Sequence, residues 1–217
     1  MNQPNRHLHR WKMLLLAWPI AIVAVSLMIY AVVQHQEALP VYGQLEGWNA
    51  PASDTQYVSH YVFVNPQHQA ISFRSFPGKI LVVNFFFTRC PNVCPRMMHE
   101  LTNVVEQFTN DDRVQFISLT VDPDYDTPEQ LQHYASAMDL PTQHWSLLTG
   151  DKRLIYRAAV VGFHVSASPG NGNIPDFIHT DKIMLVDTRG RIRGYYSGIV
   201  KREMNLLIQD IKKLEHE

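Results

Sequence analysis

Val82-Val83-Asn84-Phe85-Phe86-Phe87-Thr88-Arg89-Cys90-Pro91-Asn92-Val93-Cys94-Pro95-Arg96 is the stretch on which the reading of this chain turns. Its first half is an apolar, β-rich run. The run breaks at Thr88 and delivers Cys90 and Cys94, the only 2 cysteines in the 217 residues. Met97, Met98, Leu101, Val104, Val105 and Phe108 then recur at helical spacing, so a helix is expected from about Pro95 to Phe108, with proline in its first turn. Two thiols thus stand between a buried strand and a helix N-terminus. Free backbone N–H groups and the positive end of the helix dipole favour thiolate there, the form that binds soft metals and attacks disulfides.

Working outward, Lys79 to Phe87 reads as a strand buried on both faces. Upstream, Tyr57 to Phe73 reads as a strand, a turn at Asn65-Pro66 and a second short strand, an N-terminal β-hairpin in which Tyr57 and Tyr61 are core or surface residues. Downstream, Arg113 to Val121 is a strand, and Asp122-Pro123-Asp124-Tyr125-Asp126 is its exit loop. Thr127-Pro128-Glu129-Gln130 starts a helix, with Thr127 as N-cap, Pro128 at N1 and Gln130 at N3, that runs to about Met138. Trp145 to Leu148 is a strand, Asp151 to Val161 a helix, and Ser168 to Pro175 a loop rich in breakers. His179 to Asp187 and Ile192 to Ser197 form a hairpin, and Lys201 to Glu215 an amphipathic helix. Helices between early strands, a terminal hairpin, and Cys-x3-Cys between the first core strand and its helix give the order of an α/β thioredoxin-like fold.

The N-terminus carries a second signal. Residues 13–33 hold no charged side chain and are mostly apolar, a length that matches the ~20 residues needed to span a bilayer core. Arg6, Arg10 and Lys12 precede the run, and no Lys or Arg follows until Arg74. The positive-inside rule places residues 1–12 in the cytoplasm, 13–33 across the membrane as a single helix, 34–56 as a tether, and 57–217 as an outward-facing domain. A cleavable signal peptide is the alternative, but the run exceeds the usual ~7–15-residue apolar core of one. A bacterial inner-membrane protein with a periplasmic domain is the simplest reading. With a net charge of −1 and no basic face, nothing points to nucleic acid.

A disulfide closing the short loop from Cys90 to Cys94 would contribute roughly 2 kcal/mol at best, below the ~3 of a 15-residue loop. Such a link staples little in a domain of this size. Metal binding and thiol–disulfide exchange remain, and one geometry serves both.

Three stretches resemble the SCO/SenC family of membrane-anchored, thioredoxin-like copper proteins: Phe87-Thr-Arg-Cys-Pro-Asn-Val-Cys-Pro95, Val121-Asp-Pro-Asp-Tyr-Asp-Thr-Pro-Glu-Gln-Leu131, and His179-Thr180 ahead of Met184-Leu-Val-Asp187. The single membrane anchor is a fourth point of likeness. The resemblance implies a copper metallochaperone that assists assembly of the binuclear copper centre of cytochrome c oxidase subunit II. It implies one copper ion, Cu(I) or Cu(II), held by Cys90, Cys94 and His179, and a periplasmic protein that donates it. The sequence departs from the family at Ile178, where Asp often stands, and at Thr180, where Ser is frequent.

His179 also begins the strand after the breaker-rich loop, which in a thioredoxin-like sheet lies across from the cysteine loop. Two thiolates and an imidazole are a soft-leaning set suited to copper. A structural zinc site would want a fourth protein ligand, and none stands at metal-binding spacing. Met97 and Met98 lie close enough in sequence to be considered as thioether ligands, though methionine on a helix more often packs. His99 reads as a surface residue, and His7 and His9 face the cytoplasm. Asp122, Asp124 and Asp126 could form a hard-metal loop, but Asp-Pro and Asp-Thr-Pro are also turn and N-cap chemistry. Asp122, at a strand's carboxyl end, is a candidate to influence the thiols. The loop Ser168–Pro175 is a candidate to carry His179 toward or away from them. A thiol–disulfide oxidoreductase using Cys90 and Cys94, and a peroxidase of related architecture, are the competing functions.

Overall fold

The structure is a computed structural model that describes residues 18–19, 22–28, 38–50, 57–165 and 180–217. The chain divides into two compact units, Met1–Ala38 and Leu39–Glu217. In the first, residues 18–19 and 22–28 are helical. Among the described residues no helix is long and apolar enough to cross a membrane, and most of the run 13–33 expected to span one lies outside the described residues.

The second unit is built on two strands that are buried at every position, β4 (Ile80–Phe86) and β5 (Val114–Thr120). Their β-branched and aromatic runs have no polar face, so both sides of the sheet must be covered. They pair in parallel, with Phe86 opposite Thr120. Around them lie β1 (Gly43–Gln44), β6 (Trp145–Leu148), β7 (Lys182–Val186) and β8 (Arg191–Ser197), in the order β1-β8-β7-β4-β5-β6. The strand β6 is parallel to β5, whereas β7 is antiparallel to both β4 and β8. Helix α1 (Val93–Gln107) joins β4 to β5, α2 (Pro128–Ala137) joins β5 to β6, α3 (Lys152–Arg157) follows β6, and α4 (Lys201–Leu214) closes the chain.

Each helix buries the stripe its spacing calls for. Cys94, Met97, Met98, Leu101, Val104 and Val105 face inward from α1, and Met204, Leu207, Ile211 and Leu214 from α4, where the two helices pack on one another. The cap of α2 forms as expected on one side: the Thr127 hydroxyl accepts from the Gln130 N–H at 3.3 Å. The helix expected over Asp151–Val161 divides into α3 and a π-helical segment, Ala158–Gly162.

Two expectations at the N-terminal side change. Residues 34–56 read as a tether, yet from Leu39 the chain belongs to the domain. Gly43–Gln44 is the edge strand on β8, Leu45 is buried, and Gly47, at φ 72°, lies so close under Tyr57 that a Cβ would fall 2.2 Å from its ring. The strand expected from Tyr57 is a 3-10 helix, Val58–His60, because Ser59 turns both its N–H and its hydroxyl to the Glu46 carbonyl. Instead β2 (Phe63–Val64) pairs with β3 (Ala70–Ile71), outside the six-stranded sheet, and Val64 also bridges to Thr149. Asn65 builds the intervening turn by accepting the amides of Gln67 and Gln69.

Candidate metal centre

At the carboxyl end of β4 the ladder to β5 closes with the Val121 N–H on the Phe86 carbonyl at 2.8 Å. Beyond it, Phe87 to Asn92 is the loop that carries Cys90. The helix α1 begins two residues earlier than its proline suggests, so Cys94 already lies in its first turn. Asn92 is its N-cap residue and makes no side-chain cap. The first amides of the helix therefore remain available, and Cys90 Sγ accepts the Cys94 N–H at 3.3 Å.

Both cysteines are free thiols, Cys90 half-buried and Cys94 buried. Their ionisation is split. Burial raises the Cys90 pKa, but the Cys94 thiol and the amides of Cys94, Asn92 and Val93 outweigh it, and the net shift is downward. Burial pushes the Cys94 thiol up to about 12, helped by its hydrogen bond to Cys90 and by the charges of Cys90 and Asp126. One sulfur is thus poised to lose its proton, with the second held as a neutral neighbour.

The three aspartates do not converge on a cation. Asp122 pairs with Arg89 at 2.6 Å, and Arg89 also lies 4.1 Å over the Tyr125 ring. Asp124 pairs with Lys152 at 2.8 Å. Asp126, fully buried, accepts from the Thr88 N–H at 3.1 Å and from the hydroxyls of Thr88 and Thr120. Burial nevertheless keeps its carboxyl above the usual carboxylate range. It is Asp126, rather than Asp122, whose charge acts on Cys94.

Met97 and Met98 are fully buried and turn their sulfurs to the Asn84 amide, at 3.9 and 3.8 Å, so they pack rather than ligate. His99 is exposed. Tyr57 is half-buried and Tyr61 buried. His7, His9, the loop 168–175 and His179 lie outside the described residues. Among the described residues no group of three His, Cys, Asp or Glu side chains could hold a metal. The structure therefore brings Cys90 and Cys94 together and leaves the third position undescribed. Two adjacent sulfurs, one easily deprotonated and half-exposed, suit a soft monovalent or borderline cation.

Sequence reasoning missed two neighbours. In the sequence Thr88 marks only the end of a strand. Tyr134 is the other: its phenol is half-buried and its pKa is raised, first by burial and then by the charges of Cys94, Cys90 and Asp126. A signal was present: Leu131, Tyr134 and Ala135 stand three and four residues apart, on the face α2 turns inward.

Comparison with known proteins agrees with this frame. A SCO1/SenC sequence profile matches residues 49–215. The chain is 28% identical over 157 residues to the SCO1 protein homolog of Bacillus subtilis, covering 71% of this chain and 81% of that one. The fold is shared with BsSco, a member of the Sco family of cytochrome c oxidase assembly proteins, at a TM-score of 0.68 and 24% identity over 83% of this chain and 99% of that one. ScoI of Bradyrhizobium japonicum, solved with copper bound, aligns at a TM-score of 0.59 and 28% identity over 71% and 96%. The mixed α/β fold is thus the thioredoxin-like fold of Sco structures. Since the profile spans nearly all of the cysteine-bearing unit, the chain belongs to the SCO1/SenC family.

Proposed function

We propose that this protein is a copper carrier that binds one copper ion through Cys90, Cys94 and His179 and passes it to the binuclear copper site of cytochrome c oxidase subunit II. The observation that carries the reading is the Cys90–Cys94 contact, a pair of sulfurs held at a helix N-terminus in a SCO1/SenC frame. A copper-bound relative at 28% identity supports the choice of metal. Thiolates favour Cu(I), and imidazole is acceptable to Cu(II). In this reading residues 13–33 anchor the protein in the bacterial inner membrane, the domain stands in the periplasm, and a periplasmic protein loads the copper. A site of three protein ligands leaves an edge at which a recipient's ligand can enter before the first set leaves.

The test is anaerobic titration of the reduced protein with Cu(I) and Cu(II), with X-ray absorption at the copper edge. One copper with two sulfurs and one nitrogen is expected. Cys90→Ala and Cys94→Ala should each abolish stoichiometric binding, and His179→Ala should weaken it. Tight binding retained in both cysteine variants sinks the proposal.

A second reading draws on the unequal thiols. The Cys90 thiolate would attack a partner's disulfide, forming a mixed disulfide and releasing one partner thiolate. Cys94 would then attack Cys90 Sγ, freeing the second partner thiol and leaving Cys90–Cys94 oxidised. An external dithiol would restore the pair. This reading predicts reduction of a peptide bearing the target disulfide, undiminished in His179→Ala.

A further inference from the structure

The cysteine loop is tied to the rest of the domain at two consecutive residues. Thr88 gives Asp126 both its N–H, at 3.1 Å to Oδ2, and its hydroxyl, to Oδ1. Arg89 gives Asp122 a guanidinium hydrogen bond at 2.6 Å. The two ties differ in kind. Arg89 is half exposed, and an ion pair so placed is screened by water. Asp126 is fully buried, and its Oδ2 also takes the hydroxyl of Thr120, a residue held in the β5 ladder opposite Phe86. The carboxylate is therefore referenced to the sheet on one side and grips the cysteine loop on the other.

We propose that Asp126 is the positioning residue of the cysteine pair: through Thr88, it sets where Cys90 Sγ stands over the first amides of α1. Only Arg89 separates Thr88 from Cys90, and the Cys90 N–H is itself bonded back to the Phe87 carbonyl at 3.2 Å. Slack at Thr88 is passed directly to the sulfur. The Cys94 N–H to Cys90 Sγ distance is 3.3 Å, so a shift of about 1 Å would end that contact. A buried carboxylate is costly unless fully hydrogen-bonded. Of the three donors it receives among the described residues, two come from Thr88, so most of its hydrogen bonding is spent on the cysteine loop. The acidic loop 122–126 thereby serves the cysteine pair as a buttress.

The copper readout below rests on the copper-carrier reading, whereas the redox readout does not. The experiment compares Thr88→Val with Thr120→Val in the full chain. Each removes one hydroxyl from the same carboxylate, but only Thr88 belongs to the cysteine loop. Equilibration with glutathione measures the constant for oxidising the dithiol, and competition with a chromophoric Cu(I) chelator measures copper affinity. Thr88→Val should shift the redox constant about tenfold toward the disulfide, because the reduced pair loses an amide-stabilised sulfur, and should weaken copper about tenfold. Thr120→Val loosens the carboxylate only on its sheet side and should move both in the same direction by no more than about threefold, and Thr88→Ser should match wild type in both. Equal redox constants for the two valine variants, or a Thr88→Val constant equal to wild type, overturn the proposal whatever copper does. A wild type that takes up no copper, with the redox difference intact, overturns the copper reading and leaves the positioning role standing.

Discussion

The amide of Cys94 donates to the sulfur of Cys90 across 3.3 Å, and this contact, together with the deeper burial of Cys94, leaves two neighbouring thiols chemically unequal. Cys90 gains a partner for its charged form, whereas Cys94 remains buried beside that charge.

Alkylation should resolve the two. In the reduced protein at neutral pH, iodoacetamide followed by peptide mass mapping is expected to label Cys90 at least ten times faster than Cys94. Cys94→Ser should leave Cys90 reactive, and Cys90→Ser should leave Cys94 slow. Equal labelling of the two native thiols would contradict the geometry.

Cys94 also makes stability depend on alkaline pH. The folded thiol keeps its proton up to about 12, whereas an unfolded thiol loses it near ~8.5. Between those values the folded state binds more protons, so stability is complete below the unfolded value and falls as pH rises. Urea denaturation of the reduced protein from pH 8 to 11 should show this fall, and Cys94→Ala should flatten it.

The fully buried Ser118 hydroxyl donates to Asn84 Oδ1 at 2.6 Å and accepts from Trp145 Nε1 at 2.8 Å. Ser118→Ala strands both partners among apolar side chains. A loss of about 2–3 kcal/mol in urea denaturation is expected.

Arg193, only 2% exposed, is held by Asp187 at 2.9 Å and by Glu217, and donates to the Leu39 and Pro40 carbonyls. Burial alone would raise the Asp187 pKa, but the Arg191 amide and the Arg193 and Arg191 side chains bring it below the usual carboxylate value. Its contribution is complete above the unfolded value and is lost as pH falls through the folded one. Asp187→Ala should cost about 3 kcal/mol at neutral pH by uncovering a buried guanidinium, with a smaller difference from wild type below pH 3.

The core strands and helices were legible because their signals are local. Ile80–Phe86 has no polar face, α1 has its stripe, and Thr127-Pro128 is a local N-cap signal. The stretches that misled depend on distant partners. Tyr57–Val64 alternates like a strand, but Ser59 bonds to Glu46 and curls it into a 3-10 turn. Residues 39–50 look like linker in composition, but they contain the edge strand on β8 and the carbonyls that Arg193 requires.

Sequence by itself determined the cysteine spacing, the strand that precedes it and the helix that follows, and hence the kind of chemistry available, since these depend on residue type and short-range periodicity. Tertiary structure decided which thiol ionises and what the aspartates do. Burial, the direction of an amide and the reach of Asp126 to Thr88 across 38 positions arise only when β4 and β5 lie side by side.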